Sequence, residues 1–423
     1  MKILDVVCTP VTTGFFRDDQ SAIRAGRAHD GFLYAGSPVT PGFTTIREPG
    51  VAVSVVLILA DGQTAFGDCA EVQYAGAGGR SPLSSLEELL AQLHDHVIPR
   101  LVGRTFEGFR AVAEEIDGLL IDGAQLATPV RYGVTQALLH AAALSSGLTM
   151  AEVVQLEYGV DAEIDLVPLF AQCGDDRYAN VDKMILKQVD ALPHGLINVV
   201  DTKLGRNGEI LLEYVEWLRE RVLSVRTNPD YFPRLHVDTY GTIGLAFGGD
   251  LERVVTYLAR LAQAAAPFSL WVEHPIDAGS RDGQVAIYAQ LRDLLRTRQI
   301  PVDIVVDEWC NTLEDIDVFT KAQAADVIHV KTPDLGGINN TIKALLLVRE
   351  RGFRSYSGGT CNETDQSARV TTHVAMACGA DQVLAKPGMG VDEGIMIVRN
   401  EMARTRDLVR WRRAHQSAKD AVT

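Results

Sequence analysis

The chain has 423 residues, 47% hydrophobic and 22% charged, which is enough apolar material for a large core and excludes a mainly disordered polymer. Forty basic residues against 55 acidic ones leave a net charge of −15, and no basic run rises above Arg410, Arg412 and Arg413, which argues against nucleic acid as a partner. The longest uncharged apolar run, 51–60, is too short to cross a bilayer, and Asp5 interrupts the place where a secretion signal needs its apolar stretch, so a cytoplasmic protein is expected.

In chain order, segments 2–9, 51–59 and 64–69 are rich in Val, Ile and Leu, are punctuated by Gly and Asp, and predict a small antiparallel sheet. Ser81-Pro82 marks a helix start, after which Leu83, Leu86, Leu90, Leu93 and Val97 recur at helical spacing; 106–120 and 127–146 carry the same pattern. Together these segments predict an N-terminal α+β capping domain over residues 1–162. Six cysteines (Cys8, Cys69, Cys173, Cys310, Cys361 and Cys378) are scattered without a CxxC pair and are expected as reduced thiols.

Beyond residue 162 short apolar runs alternate with helical patterns. The runs fall at 167–171, 196–200, 235–239, 270–273, 304–307, 327–330, 354–357 and 382–385, with amphipathic segments such as 211–225 and 251–264 between them. Eight such units predict an α/β fold in which residues 163–423 form a (β/α)8 barrel, whose active site lies at the C-terminal strand ends. The segment beyond Asp392 reads as a final helix returning to the N-terminal domain.

On this reading three acids end three successive strands: Asp238 in LHVDTY, Glu273 in LWVEHP and Asp307 in IVVDEW, 35 and 34 residues apart. One such acid alone is more often a helix cap or a salt-bridge partner. Three in register would repel one another unless a cation sat between them, and an all-oxygen site with room for water and substrate suits Mg²⁺. The next strand ends in Lys331, within VIHVKTPDLGG. A lysine beside a divalent ion is equipped to act as a general base, removing a proton α to a carboxylate while the metal stabilises the ene-diolate.

With these residues the sequence resembles the enolase superfamily, an N-terminal capping domain followed by a TIM-type barrel. Within it the chain is similar to the methylaspartate ammonia-lyase family along essentially its whole length. The strings that carry the closer resemblance are HDGF at 29–32, QYAGAGGR at 73–80, FAQCGDDRY at 170–178, LPHGLIN at 192–198, DEWCNT at 307–312, KTPDLGG at 331–337, GGTCNET at 358–364 and AKPGMGVDEG at 385–394.

The resemblance implies a carbon–nitrogen lyase that eliminates ammonia reversibly from (2S,3S)-3-methylaspartate to give mesaconate. It implies that Asp238, Glu273 and Asp307 bind Mg²⁺, that Lys331 removes the C3 proton, and that His194 serves the C3 epimer from the opposite side. Gln172, Thr360 and Cys361 would bind the second carboxylate, and Gln73 would approach the amino group as the capping domain closes the barrel mouth. It also implies a homodimer, potassium as an activating ion, and a place in amino-acid degradation through glutamate catabolism.

One position departs from the pattern. Where the family has a glutamine reaching the metal-bound carboxylate, this chain has His329, whose ring either fills the amide's space or changes substrate affinity and pH profile. No organic cofactor is expected, because no phosphate-binding glycine fingerprint opens a helix after a strand. The rival readings are another enolase-superfamily reaction, an epimerisation or dehydration, and a non-catalytic enolase-like scaffold.

Overall fold

The order of the eight barrel strands follows the chain: Leu169–Phe170, Ala191–His194, Arg234–Asp238, Leu270–Glu273, Val302–Val306, Val327–Val330, Arg354–Ser357 and Gln382–Leu384, all parallel, with the last pairing the first to close the ring. The structure, a computed structural model, describes the backbone of residues 1–420 and the side chains of residues 1–415. Amphipathic helices such as Glu209–Val225 and Leu251–Ala265 cover the barrel from outside. Phe170, Trp271, Val305, Val327, Tyr356 and Leu384 fill its interior. This is the α/β barrel that the alternating pattern predicts.

The second strand differs from expectation. The apolar run 196–200 is not a strand; the pairing segment is Ala191–His194, just before it. His194, Gly195 and Leu196 have φ values of 69°, 88° and 48°, so the chain leaves the sheet immediately after His194. Pro193, which cannot donate to a ladder, hides this strand from a reading of the sequence.

At the N-terminus a three-stranded antiparallel sheet runs in the order Ile3–Asp18, Arg47–Leu59, Thr64–Cys69. The first strand extends well past the expected 2–9. Helix Thr128–Ser146 lies directly on this sheet, backbone against backbone: a Cβ on Gly133 would stand 2.4 Å from the Cys69 nitrogen. The helix expected from Ser81 begins later, at Leu86–Gln92, because Ser85 caps it by accepting from the Glu88 N–H in a capping box. Segment 106–120 is helical over Phe109–Asp117 only.

The final helix, Asp392–Asp420, does return to the N-terminal elements, where Arg412 pairs with Glu152 of helix Met150–Tyr158. All six cysteines are free. Among the described residues no single helix is long and apolar enough to cross a membrane.

Candidate active site

Register explains why the three acids meet. Asp238 and Glu273 are direct neighbours across the third and fourth strands. Asp307 follows the fifth strand two residues beyond Val305, the partner of Glu273, and so faces the same way. The pairing of Val305 with Val327 carries His329 to the level of Asp307, with Lys331 one step higher. Lys331 Nζ lies 2.9 Å from Asp307 Oδ1 and donates to the Asp307 carbonyl at 2.6 Å. At the other end of the row His194 Nε2 is 3.2 Å from Asp238 Oδ2. The two candidate bases therefore flank the carboxylates from opposite sides.

All three carboxylates are buried, and their environments split their acidity. Burial, then the Glu273 charge, pushes Asp238 up to about 7. Burial also works against Glu273, but His329 and His236 on its two oxygens outweigh it and bring its pKa down to about 2. For Asp307 burial is overcome chiefly by the adjacent Lys331 ammonium, which holds the carboxyl well below the usual range. Burial lowers the pKa of His194, and the Asp238 carboxylate more than restores it, so the net shift is upward.

Glu273, Asp307 and His329 bring donor atoms within 4.8 Å of one another. His329 Nε2 accepts the Gly359 N–H at 3.3 Å, which assigns the ring proton to Nδ1, and Nδ1 donates to Glu273 Oε1 at 2.7 Å. A nitrogen carrying a proton is no ligand, so what remains is a set of carboxylate oxygens, the hard donors that fit Mg²⁺.

Above the carboxylates is a cavity of about 50 Å³. His194, Asp238, Asp307, His329 and Lys331 line it, together with Gln73, Gln172, Thr360 and Cys361. Glu273 lies beneath this surface, with His329 against one oxygen and His236 against the other. Gln73 reaches in from the N-terminal elements: its amide donates to Asp18 Oδ2 at 2.8 Å, and its oxygen accepts from the Cys361 thiol at 3.0 Å. Gln172 donates to the Gly388 carbonyl at 3.1 Å. The Thr360 hydroxyl accepts the N–H groups of Gln73 and Asn362, which leaves its own proton to donate. The Thr360 N–H is taken by Glu363, so that backbone donor is used internally.

His329 differs most from expectation. Both ring nitrogens are engaged, on Glu273 and on Gly359, and Tyr356 stacks on the ring at 4.2 Å. The ring presses onto bare backbone, since a Cβ on Gly358 would fall 1.9 Å from Nε2. It therefore supports a carboxylate and a loop and offers no spare donor to the cavity.

Two further groups escaped the sequence reading. Arg80, which closes the QYAGAGGR string, is buried against Asp307, Glu308 and Asp334 at 3.4, 3.2 and 3.1 Å. His236, two residues before Asp238, supports Glu273 from inside the barrel. For His236 a signal existed, because alternate strand residues share a face.

The family model described as methylaspartate ammonia-lyase N-terminus matches residues 1–159, and that described as its C-terminus matches 161–411. The methylaspartate ammonia-lyase of Clostridium tetanomorphum is 53% identical over 409 residues, covering 97% of this chain and 99% of that one. The solved structure of β-methylaspartase from Clostridium tetanomorphum, a Mg complex, superposes with a TM-score of 0.93 at 53% identity, covering 97% of this chain and all of that one. The Citrobacter amalonaticus methylaspartate ammonia lyase containing (2S,3S)-3-methylaspartic acid gives a TM-score of 0.95 at 50% identity, with 97% and 100% covered.

Proposed function

The chain belongs to the methylaspartate ammonia-lyase family, and from that premise we propose that it eliminates ammonia reversibly from (2S,3S)-3-methylaspartate to give mesaconate. The observation that carries this reading is the row Asp238, Glu273, Asp307 at the ends of consecutive strands, with Lys331 against Asp307 at one end and His194 against Asp238 at the other.

We assign Asp238, Glu273 and Asp307 to hold Mg²⁺, in keeping with the Mg complex of the Clostridium relative. When bound, the ion supplies positive charge that offsets the dianionic carboxylate fragment left when C3 loses its proton. Lys331, in its neutral amine form, takes that proton on Nζ. The electron pair left on C3 forms the C2–C3 double bond while the C2–N bond breaks, and the substrate's ammonium nitrogen leaves with that bonding pair as ammonia. His194, on the opposite side, takes the proton of the C3 epimer. Gln172, the Thr360 hydroxyl and Cys361 hold the second carboxylate, and Gln73 faces the amino group. His329 supports Glu273, not the substrate.

The capping unit is residues 1–162 and the barrel unit 163–423, a division supported by where the closed ring of strands begins. By kinship we also propose a cytoplasmic homodimer in glutamate catabolism with potassium as activator; size-exclusion chromatography and assays with sodium replacing potassium test those two properties. The reaction itself is tested by measuring ammonia and mesaconate from (2S,3S)-3-methylaspartate with and without Mg²⁺. Formation of neither product in its presence refutes it.

A further inference from the structure

A closed eight-stranded barrel ordinarily fills its interior with apolar side chains. In this one a chain of polar groups crosses that interior. His236, fully shielded from solvent, has Nε2 at 2.9 Å from Glu273 Oε2 and Nδ1 at 2.9 Å from Gln382 Nε2. The Gln382 oxygen accepts from Arg234 Nη1 at 2.9 Å.

The direction of every bond follows from the last of these. A guanidinium can only donate, so the Gln382 oxygen accepts and its amide N–H donates to His236 Nδ1. The ring proton is then on Nε2, aimed at Glu273. Aromatic neighbours fix the plane of the ring: Phe170 stacks on it at 4.2 Å with 4° between planes, and Trp271 and Tyr356 meet it edge-on at 5.5 Å.

Well-packed apolar replacements of buried polar groups are often neutral or stabilising. We propose that His236, backed by Gln382 and Arg234, is a positioning residue for Glu273: it binds one oxygen and fixes the carboxylate plane, so that the remaining lone pairs face the metal position. This rests on the reading of Asp238, Glu273 and Asp307 as the Mg²⁺ ligands. Groups that orient a ligand in this way typically change metal affinity by about 10- to 100-fold when removed.

The test uses the full chain and Mn²⁺ as probe, with free ion counted by electron paramagnetic resonance and Mg²⁺ as competitor. Circular dichroism and thermal melts establish that each variant is folded. His236→Phe keeps the ring volume and removes the donor; it should raise the Mn²⁺ Kd about 10- to 100-fold. His236→Gln keeps a donor and an acceptor and should recover most of the affinity. Gln382→Leu removes the group that sets the tautomer and should weaken binding on its own, which carries the test if His236→Phe does not fold.

Unchanged Kd in His236→Phe and Gln382→Leu, with the parent binding Mn²⁺ normally, overturns the inference and leaves the metal reading standing. Equal losses in the Phe and Gln variants overturn it too, since bulk and not the donor would then matter. A parent that binds neither ion overturns the metal reading itself and this inference with it.

Discussion

The Lys386 ammonium and the Glu363 carboxylate meet at 2.8 Å with 1% and 0% of their side chains exposed. Glu363 Oε1 also takes the Thr360 N–H, Glu363 Oε2 takes the Tyr132 hydroxyl, and Lys386 donates to the Gly358 carbonyl. The pair thus forms the floor of the 358–361 turn that faces the cavity, and ties it to the helix Thr128–Ser146. Removing one partner leaves the other charge buried and unpaired. Glu363→Gln and Lys386→Met should each cost about 3 to 5 kcal/mol, and the double variant much less than their sum. Denaturant titrations measure all three; strictly additive losses would contradict the pairing.

The two bases should separate by substrate. Lys331→Ala should suppress ammonia release from the (2S,3S) isomer by about 10²- to 10⁴-fold and spare the C3 epimer, and His194→Ala should do the reverse. Steady-state rates on both epimers decide this. Equal losses on both in either variant would show that the residues do not act on opposite faces.

Metal dependence follows from three buried carboxylates brought together at the ends of neighbouring strands. Asp238→Ala, Glu273→Ala and Asp307→Ala should each abolish turnover, and a chelator should do so in the parent, with recovery on adding Mg²⁺. Substantial turnover in excess chelator would sink the assignment.

His329 has both nitrogens occupied. His329→Gln should bring an amide donor to the cavity and lower KM by about 2- to 10-fold, the worth of one ordinary hydrogen bond, measured at saturating Mg²⁺ because the change also removes a donor from Glu273. An unchanged or higher KM would mean the ring already contacts substrate.

Glu71 offers a pH test away from the acids. Burial pushes its carboxyl up to about 7, although the Ser84 N–H at 2.9 Å and Arg17 pull the other way. The folded chain therefore holds this proton to about pH 7, whereas the unfolded chain releases it near the ordinary glutamate value of about 4.3. The contribution to stability is fully present below that lower value and is lost as pH rises through the upper one, by at most about 1.4 kcal/mol per pH unit. Glu71→Gln should gain on the parent steadily between these limits. Thermal melts whose difference stays constant across this window would refute it.

The acids and Lys331 were legible in the sequence because a (β/α)8 chain repeats one address, the strand end, in every unit. The second strand was not, since Pro193 breaks the strand pattern and the apolar run lies just after it. Ser81-Pro82 suggested a helix that the Ser85 cap actually begins. Arg80 and Lys386 have no local signature: each is defined by partners brought together in space, Arg80 by Asp307 across 227 positions and Lys386 by Tyr132 through Glu363. The bonding of His329 was not legible because the sequence shows which residue is present and not where its second nitrogen is bound.

The contact between His329 and Gly358 also restricts how this protein can change. Because the ring occupies the space a Cβ would need, no side chain fits at 358 while the imidazole is there. Substitutions at the two positions are therefore ordered: 329 must first become a residue that withdraws, and only then can 358 vary. A library that randomises 358 alone should return glycine, whereas one that varies both positions together should recover active pairs that neither single change can reach.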